Sequence, residues 1–160
     1  MQTVCDFVHR NLTIDYQQAR PTRTALEGYR ERVGVCRDFM HLAITLYRCL
    51  NIPACYATAY LGDIGVPPGP SPMGSGAWFQ VFLENRWWTF DARHNQARIG
   101  RVLMAVGRDA ADVVLTTIFG RNRLQKIVIE TQEVEHPIGN SKFPFQGRSP
   151  DFTPRQVNFG

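Results

Sequence analysis

The sequence predicts an α+β domain, with helices in its first third packed on an antiparallel sheet built from the remainder of the chain. Three observations carry this. Between positions 38 and 50 the apolar residues Phe39, Leu42, Ala43, Leu46 and Leu50 recur at helical spacing. Positions 77–83 and 86–91 are β-rich runs flanking Glu84-Asn85, and Asn85 tolerates the left-handed conformation of a tight hairpin turn. Finally, 160 residues with 44% apolar and 11% aromatic content can bury one substantial core.

The elements come in order along the chain. Positions 1–10 suit a helix with Val4, Phe7 and Val8 on one side. A second helix opens at Thr22 or Thr24 and runs to about Arg32, since Thr24-Ala25-Leu26-Glu27 has capping-box spacing. The third covers 38–50 and stops at Asn51-Ile52-Pro53, which places Cys36 at or just before its first turn. A strand is expected at 54–61. The next stretch, 62–76, holds four prolines and five glycines, so no regular structure is expected there, and a loop of that length is often a rim or lid. If Glu84-Asn85 is the hairpin turn, Leu83 faces Arg86, Trp78 faces Asp91, and Gly76 lies diagonally from Asp91, about 7–8 Å between α-carbons. Further strands are expected at 102–106, 113–119 and 126–134. The domain is placed at 1–135, with a Pro/Gly-rich tail at 136–160.

Charge and composition exclude several classes. The net charge is +4, with Arg93, Arg98, Arg101, Arg108, Arg121 and Arg123 set against Asp109 and Asp112. No aromatic-interleaved basic motif accompanies these arginines, so they read as a solvated face with internal ion pairs and no nucleic-acid partner is expected. No apolar run is long enough to cross a bilayer, and Met1–Asp6 offers neither a basic leader nor an apolar signal core, so a cytoplasmic location is expected. Cys5, Cys36, Cys49 and Cys55 lack zinc-site spacing, and neither metal nor cofactor is expected. Cys49 and Cys55 are read as small packing residues.

Gly34-Val35-Cys36-Arg37-Asp38-Phe39 is the segment richest in chemistry. Unpaired N–H groups and the positive end of the helix dipole favour an anionic sulfur at Cys36, making it a nucleophile candidate. Asp38 either complements the helix start or tunes Cys36. A helix-starting Cys, a strand near a hairpin and an Asp closing the next strand suggest a Cys-His-Asp set, in which an imidazole takes the thiol proton and later gives it to the leaving amine. Cys36 and Asp91 fill two of these roles.

The ordered segments Gly34–Phe39, Asn51-Ile-Pro-Ala54, Tyr60–Pro68, Ala77-Trp-Phe79, Trp88–Asn95, Arg98-Ile-Gly-Arg101 and Gly107-Arg-Asp-Ala110 resemble a bacterial transglutaminase-like cysteine peptidase domain of papain-like fold, over roughly residues 1–120. The resemblance implies thiol acyl transfer through a Cys36 thioester on a peptide or protein substrate, with Asp91 as the orienting carboxylate. It also implies that the family's His falls at Gly76, which has no side chain to accept a proton. Relatives of this type usually carry an N-terminal β-rich domain, so the chain is read as a fragment or a reduced member. His94, three residues beyond Asp91, is read as a neighbour of the site rather than a replacement base, His41 as a packing histidine, and Trp78 as a groove wall. The rival reading is a non-catalytic peptide- or protein-binding domain on the same fold.

Overall fold

The computed structural model describes residues 2–67, 74–114, 117–121, 123, 128–129 and 131. In chain order these form α1 (Gln2–Asn11), β1 (Thr13–Ile14), a 3-10 turn (Tyr16–Gln18), α2 (Ala25–Glu31), β2 (Val33–Gly34), α3 (Cys36–Cys49), β3 (Ala54–Leu61), β4 (Gly74–Leu83), β5 (Arg86–Phe90) and β6 (Arg101–Gly107). The α+β architecture is as the sequence predicts. Among the described residues no helix is long and apolar enough to cross a membrane.

Local signals account for the helices. Thr24 caps α2 through a full capping box: Glu27 N donates to Thr24 Oγ1 at 3.2 Å and Thr24 N donates to Glu27 Oε2 at 2.8 Å. The helix ends where Arg32 turns left-handed, at φ 58°. Along α3 the 3.6-residue period turns Phe39, Met40, Leu42, Ala43, Ile44 and Tyr47 into the core. There Tyr47 meets Phe79 at 5.7 Å between ring centroids, and Phe79 stacks on Phe90 at the same distance. Leu50, expected on this face, is exposed because it caps the helix rather than continuing it. Phe7 of α1 is likewise exposed and stacks on Tyr29, while Cys5 and Val8 face the core.

The four-stranded sheet runs in the order β5-β4-β3-β6, antiparallel throughout. Its hairpin turn is Glu84-Asn85, both residues left-handed (φ 50° and 63°), as a two-residue turn between twisted strands requires. Leu83 pairs with Arg86 and the register runs to Phe79 opposite Phe90, so Asp91 is the residue directly beyond β5. β1 and β2, a two-residue parallel pair, were not expected from the sequence and tie the start of α3 to the turn after α1.

Three expectations need correction. Gly74-Ser75-Gly76 is not loop but strand, paired with Leu61, Tyr60 and Ala59 of β3. A complete partner ladder outweighs poor intrinsic propensity. Positions 113–119 carry no strand among their described residues, and Val113 instead closes the core after a turn at Asp109–Asp112. Cys49 is exposed and Cys55 half-buried, whereas Cys5 and Cys36 are buried. The expected strand at 126–134, apart from isolated positions, and the tail at 136–160 with its boundary at 135 lie outside the described residues.

Candidate active site

The site begins with how α3 is started. Val35 is the N-cap residue, in extended conformation, and Cys36 is the first helical residue. Val35 offers no capping side chain, so the carboxylate of Asp38 supplies the cap from the third position, accepting Val35 N at Oδ2 (2.9 Å). The same oxygen accepts Arg23 Nη1 at 3.0 Å, and Oδ1 accepts Arg37 Nη2 at 3.0 Å. The Arg23 and Asp38 side chains are 2% and 1% exposed. Gly34 permits this, because a Cβ there would stand 2.7 Å from Asp38 Cβ. Asp38 therefore anchors the helix start from behind, and Cys36 is not among its hydrogen-bond partners.

Cys36 Sγ has two polar neighbours. Arg93 Nη1 donates to it at 3.0 Å, and Tyr16 Oη lies 3.4 Å away. The Arg93 guanidinium also sits 5.8 Å from the Tyr16 ring centroid. Burial first, then the adjoining Cys36, pushes the Tyr16 phenol up to about 12. Among the described residues no imidazole is within hydrogen-bond distance of the sulfur. A cavity of about 360 Å³ opens over Cys36, lined by Tyr16, Tyr56, Thr58, Gly76 and Ala77 among others.

Asp91 is linked to this constellation through Arg93, which bonds Asp91 by its backbone N–H and Cys36 by its guanidinium. Oδ1 accepts the backbone N–H groups of Arg93 (3.0 Å) and His94 (3.1 Å), Oδ2 meets His94 Nδ1 at 2.8 Å, and Arg101 Nη2 is 3.6 Å from Oδ2. Burial works to raise this carboxyl, but the hydrogen bonds and charge from His94, with Arg101 behind them, hold it below the usual carboxylate range. Cys5, close beneath, is pushed up to about 11 by burial and then by the Asp91 charge, and is a protonated packing residue.

Strand alternation settles which face position 76 belongs to. Gly76 is opposite Ala59 and shares its face with Trp78 and Ala57, while Ala77 and Phe79 turn toward α3. Trp78 is 4% exposed and carries the Arg101 guanidinium 5.4 Å above its ring, so it is a wall of the Asp91 side rather than an open groove. A Cβ on Gly76 would lie 3.1 Å from Leu61 Cβ.

The structure thus brings Asp91 and His94 into direct contact and sets Cys36 and Gly76 on one cavity, with His94 bonded to the carboxylate and not to the sulfur. His41 Nε2 accepts Ala110 N at 3.2 Å and packs on Tyr56. Sequence reasoning missed Tyr16 and Arg23 as members of this region, and treated Arg93 and Arg101 only as part of a basic face. Arg93 follows Asp91 by two residues, a proximity that could have flagged it. Tyr16 carries no spacing signal, because the 3-10 turn that delivers it is visible only in three dimensions. Among the described residues no group of three His, Cys, Asp or Glu side chains could hold a metal ion.

Comparison with known proteins adds to this geometry. The family model of the transglutaminase-like superfamily matches residues 1–92. An uncharacterised protein of Mycobacterium leprae is 32% identical over 98 residues, covering 56% of this chain and 33% of that protein. An uncharacterised protein of Mycobacterium tuberculosis H37Rv is 35% identical over 92 residues, covering 51% of this chain and 29% of that protein. The crystal structure of a candidate cysteine protease from Cytophaga hutchinsonii superimposes with a TM-score of 0.66 at 35% identity, covering 74% of this chain and 39% of that one. The chain spans about a third of the length of the relatives it matches.

Proposed function

Because this chain belongs to the transglutaminase-like superfamily, we propose that it is a thiol acyl-transfer domain in which Cys36 attacks the acyl carbon of a peptide or protein substrate, with turnover impaired because Gly76 stands where the family's base would be. The observation that supports this is the pair of partners at Cys36 Sγ: a guanidinium and a phenol, and no imidazole. The sulfur keeps a nucleophile's position, on the first residue of a helix and beside a cavity. Asp91, which would orient an imidazole at position 76, is instead bonded to the His94 ring, and that ring is not within hydrogen-bond distance of Cys36. Hydrolysis, deamidation and cross-linking all share the thioester step and all need proton transfer that this set lacks.

Gly76→His tests the reading. A general base contributes about 10²–10⁴-fold. Position 76 lines the cavity over Cys36 but shares its sheet face with Trp78, so the ring must turn round the strand to reach the sulfur, and turnover of a glutamine-containing peptide should rise toward the lower end of that range. The new Cβ would press on Leu61 and the new ring would compete with His94 and Arg101 for Asp91, so Leu61→Ala/Gly76→His should gain more than Gly76→His alone. A crystal structure placing the imidazole on Cys36 and Asp91 with no thioester and no turnover on a broad peptide panel would end the impaired-enzyme reading. The binding-domain reading, which the same cavity and missing base favour, would replace it.

A further inference from the structure

Arg93 has no carboxylate within salt-bridge distance among the described residues, unlike Arg98, which meets Asp63 at 3.0 Å, and Arg101, which meets Asp91. Its guanidinium goes instead to the Cys36 sulfur. The backbone that carries it is clamped from two sides, since Arg93 N donates to Asp91 Oδ1 at 3.0 Å and the His9 ring donates through Nδ1 to Arg93 O at 2.8 Å. A guanidinium can only donate and does not give up its proton. The contact is therefore an N–H directed at a sulfur lone pair, and such a bond strengthens when the acceptor is an anion.

The supply of protons around the sulfur is the opposite of what an amide requires. A departing amine must be protonated, whereas a departing thiolate need not be. Near Sγ the donors are Arg93, which never releases its proton, and Tyr16, a largely exposed residue whose hydroxyl, partly buried against the Cys36 sulfur, is pushed up to about 12. His94, bonded to Asp91 through Nδ1, is not within hydrogen-bond distance of the sulfur.

Resting on the reading of Cys36 as nucleophile, we infer that this site takes acyl groups from thioester donors in preference to amides, with Arg93 holding the attacking sulfur. The Cys36 thiol loses its proton to solvent, and the sulfur anion forms a bond to the donor's carbonyl carbon. The adduct collapses with breakage of the donor's carbon–sulfur bond, and the donor sulfur leaves with that electron pair as a thiolate. After that ionisation the exchange of one thiolate for the other moves no further proton. The acyl group then remains on Cys36 until an amine attacks it, the amine's surplus proton passing to solvent.

The test uses the full chain with three donors of the same acyl group: an N-acetylcysteamine thioester, a p-nitrophenyl ester and a glutamine-type amide. Peptide-level mass spectrometry reads the acylation rate at Cys36 against that at Cys49, which is exposed at the other end of α3 and reports the unassisted rate. The thioester should acylate Cys36 faster than Cys49, and the amide should leave Cys36 unmodified. Arg93→Ala should slow acylation by about 10- to 100-fold, the span of a charged hydrogen bond. Arg93→Lys should restore part of the lost rate. Equal rates from thioester and amide, or an Arg93→Ala rate equal to that of the unaltered chain, would overturn this inference and leave Cys36 a nucleophile. Cys36 acylated no faster than Cys49 by every donor would overturn the nucleophile reading itself.

Discussion

Arg23→Ala should be among the most damaging single substitutions in the domain, through the helix start that carries Cys36. Arg23 and Asp38 are both almost wholly buried and meet at 3.0 Å, and Asp38 Oδ2 also accepts the first turn's Val35 N–H. Removing one partner of a buried pair leaves the other as an uncompensated charge, which costs about 3–5 kcal/mol. Here Arg37 stays at 3.0 Å from Asp38 Oδ1, partly exposed, so the loss should fall near the low end, about 3 kcal/mol. The internal comparison is Arg20→Ala, whose partners Glu27 and Glu31 are solvent-accessible and whose loss should be under about 1 kcal/mol. Urea unfolding followed by tryptophan fluorescence gives both values. In the Arg23→Met background, Asp38→Asn should recover part of the stability, because a neutral amide is cheaper to bury than a lone carboxylate. An Arg23→Ala loss no larger than that of Arg20→Ala would refute the reasoning.

Asp91 and His41 predict opposite ends of the acid range. The Asp91 carboxyl is held below its usual value in the folded chain, so its stabilising contribution is full above about pH 4 and is lost as pH falls through the depressed value; the stability gap between the chain and Asp91→Asn should close over that window. Burial first, then the Arg37 charge, holds the His41 imidazole down, so the unfolded chain binds the extra proton below about pH 6.5 and stability declines from there toward the depressed folded value. His41→Gln should remove that slope in unfolding curves taken between about pH 7 and 5. Brief iodoacetamide treatment should label Cys36 and Cys49 and spare Cys5, which is buried and pushed up to about 11. Early labelling of Cys5 would contradict the packing of α1. A salt-dependent affinity for nucleic acid that disappears in Arg98→Ala/Arg101→Ala is not expected, since both guanidinium groups are engaged within the domain.

What the sequence by itself determined was everything with a local cause. The apolar period produced α3, Thr24 and Glu27 produced the cap of α2, and Glu84-Asn85 produced the turn that sets the β4–β5 register. Cys36 at a helix start and Asp91 at the end of a strand were legible for the same reason, since short-range patterning places both. Three-dimensional packing decided the rest. Gly74–Gly76 became strand because β3 offered it a complete ladder. Asp38 became an anchor because Arg23, fifteen residues earlier, is buried against it. Cys36 received Arg93 and Tyr16, from 57 positions ahead and 20 behind, through long-range contacts that no periodicity encodes. A side chain's neighbours along the chain follow from backbone geometry, but its neighbours across the core depend on how all the elements pack at once; the glycine at 76 was legible in the sequence, and collective packing is what brought the Arg93 guanidinium to Cys36.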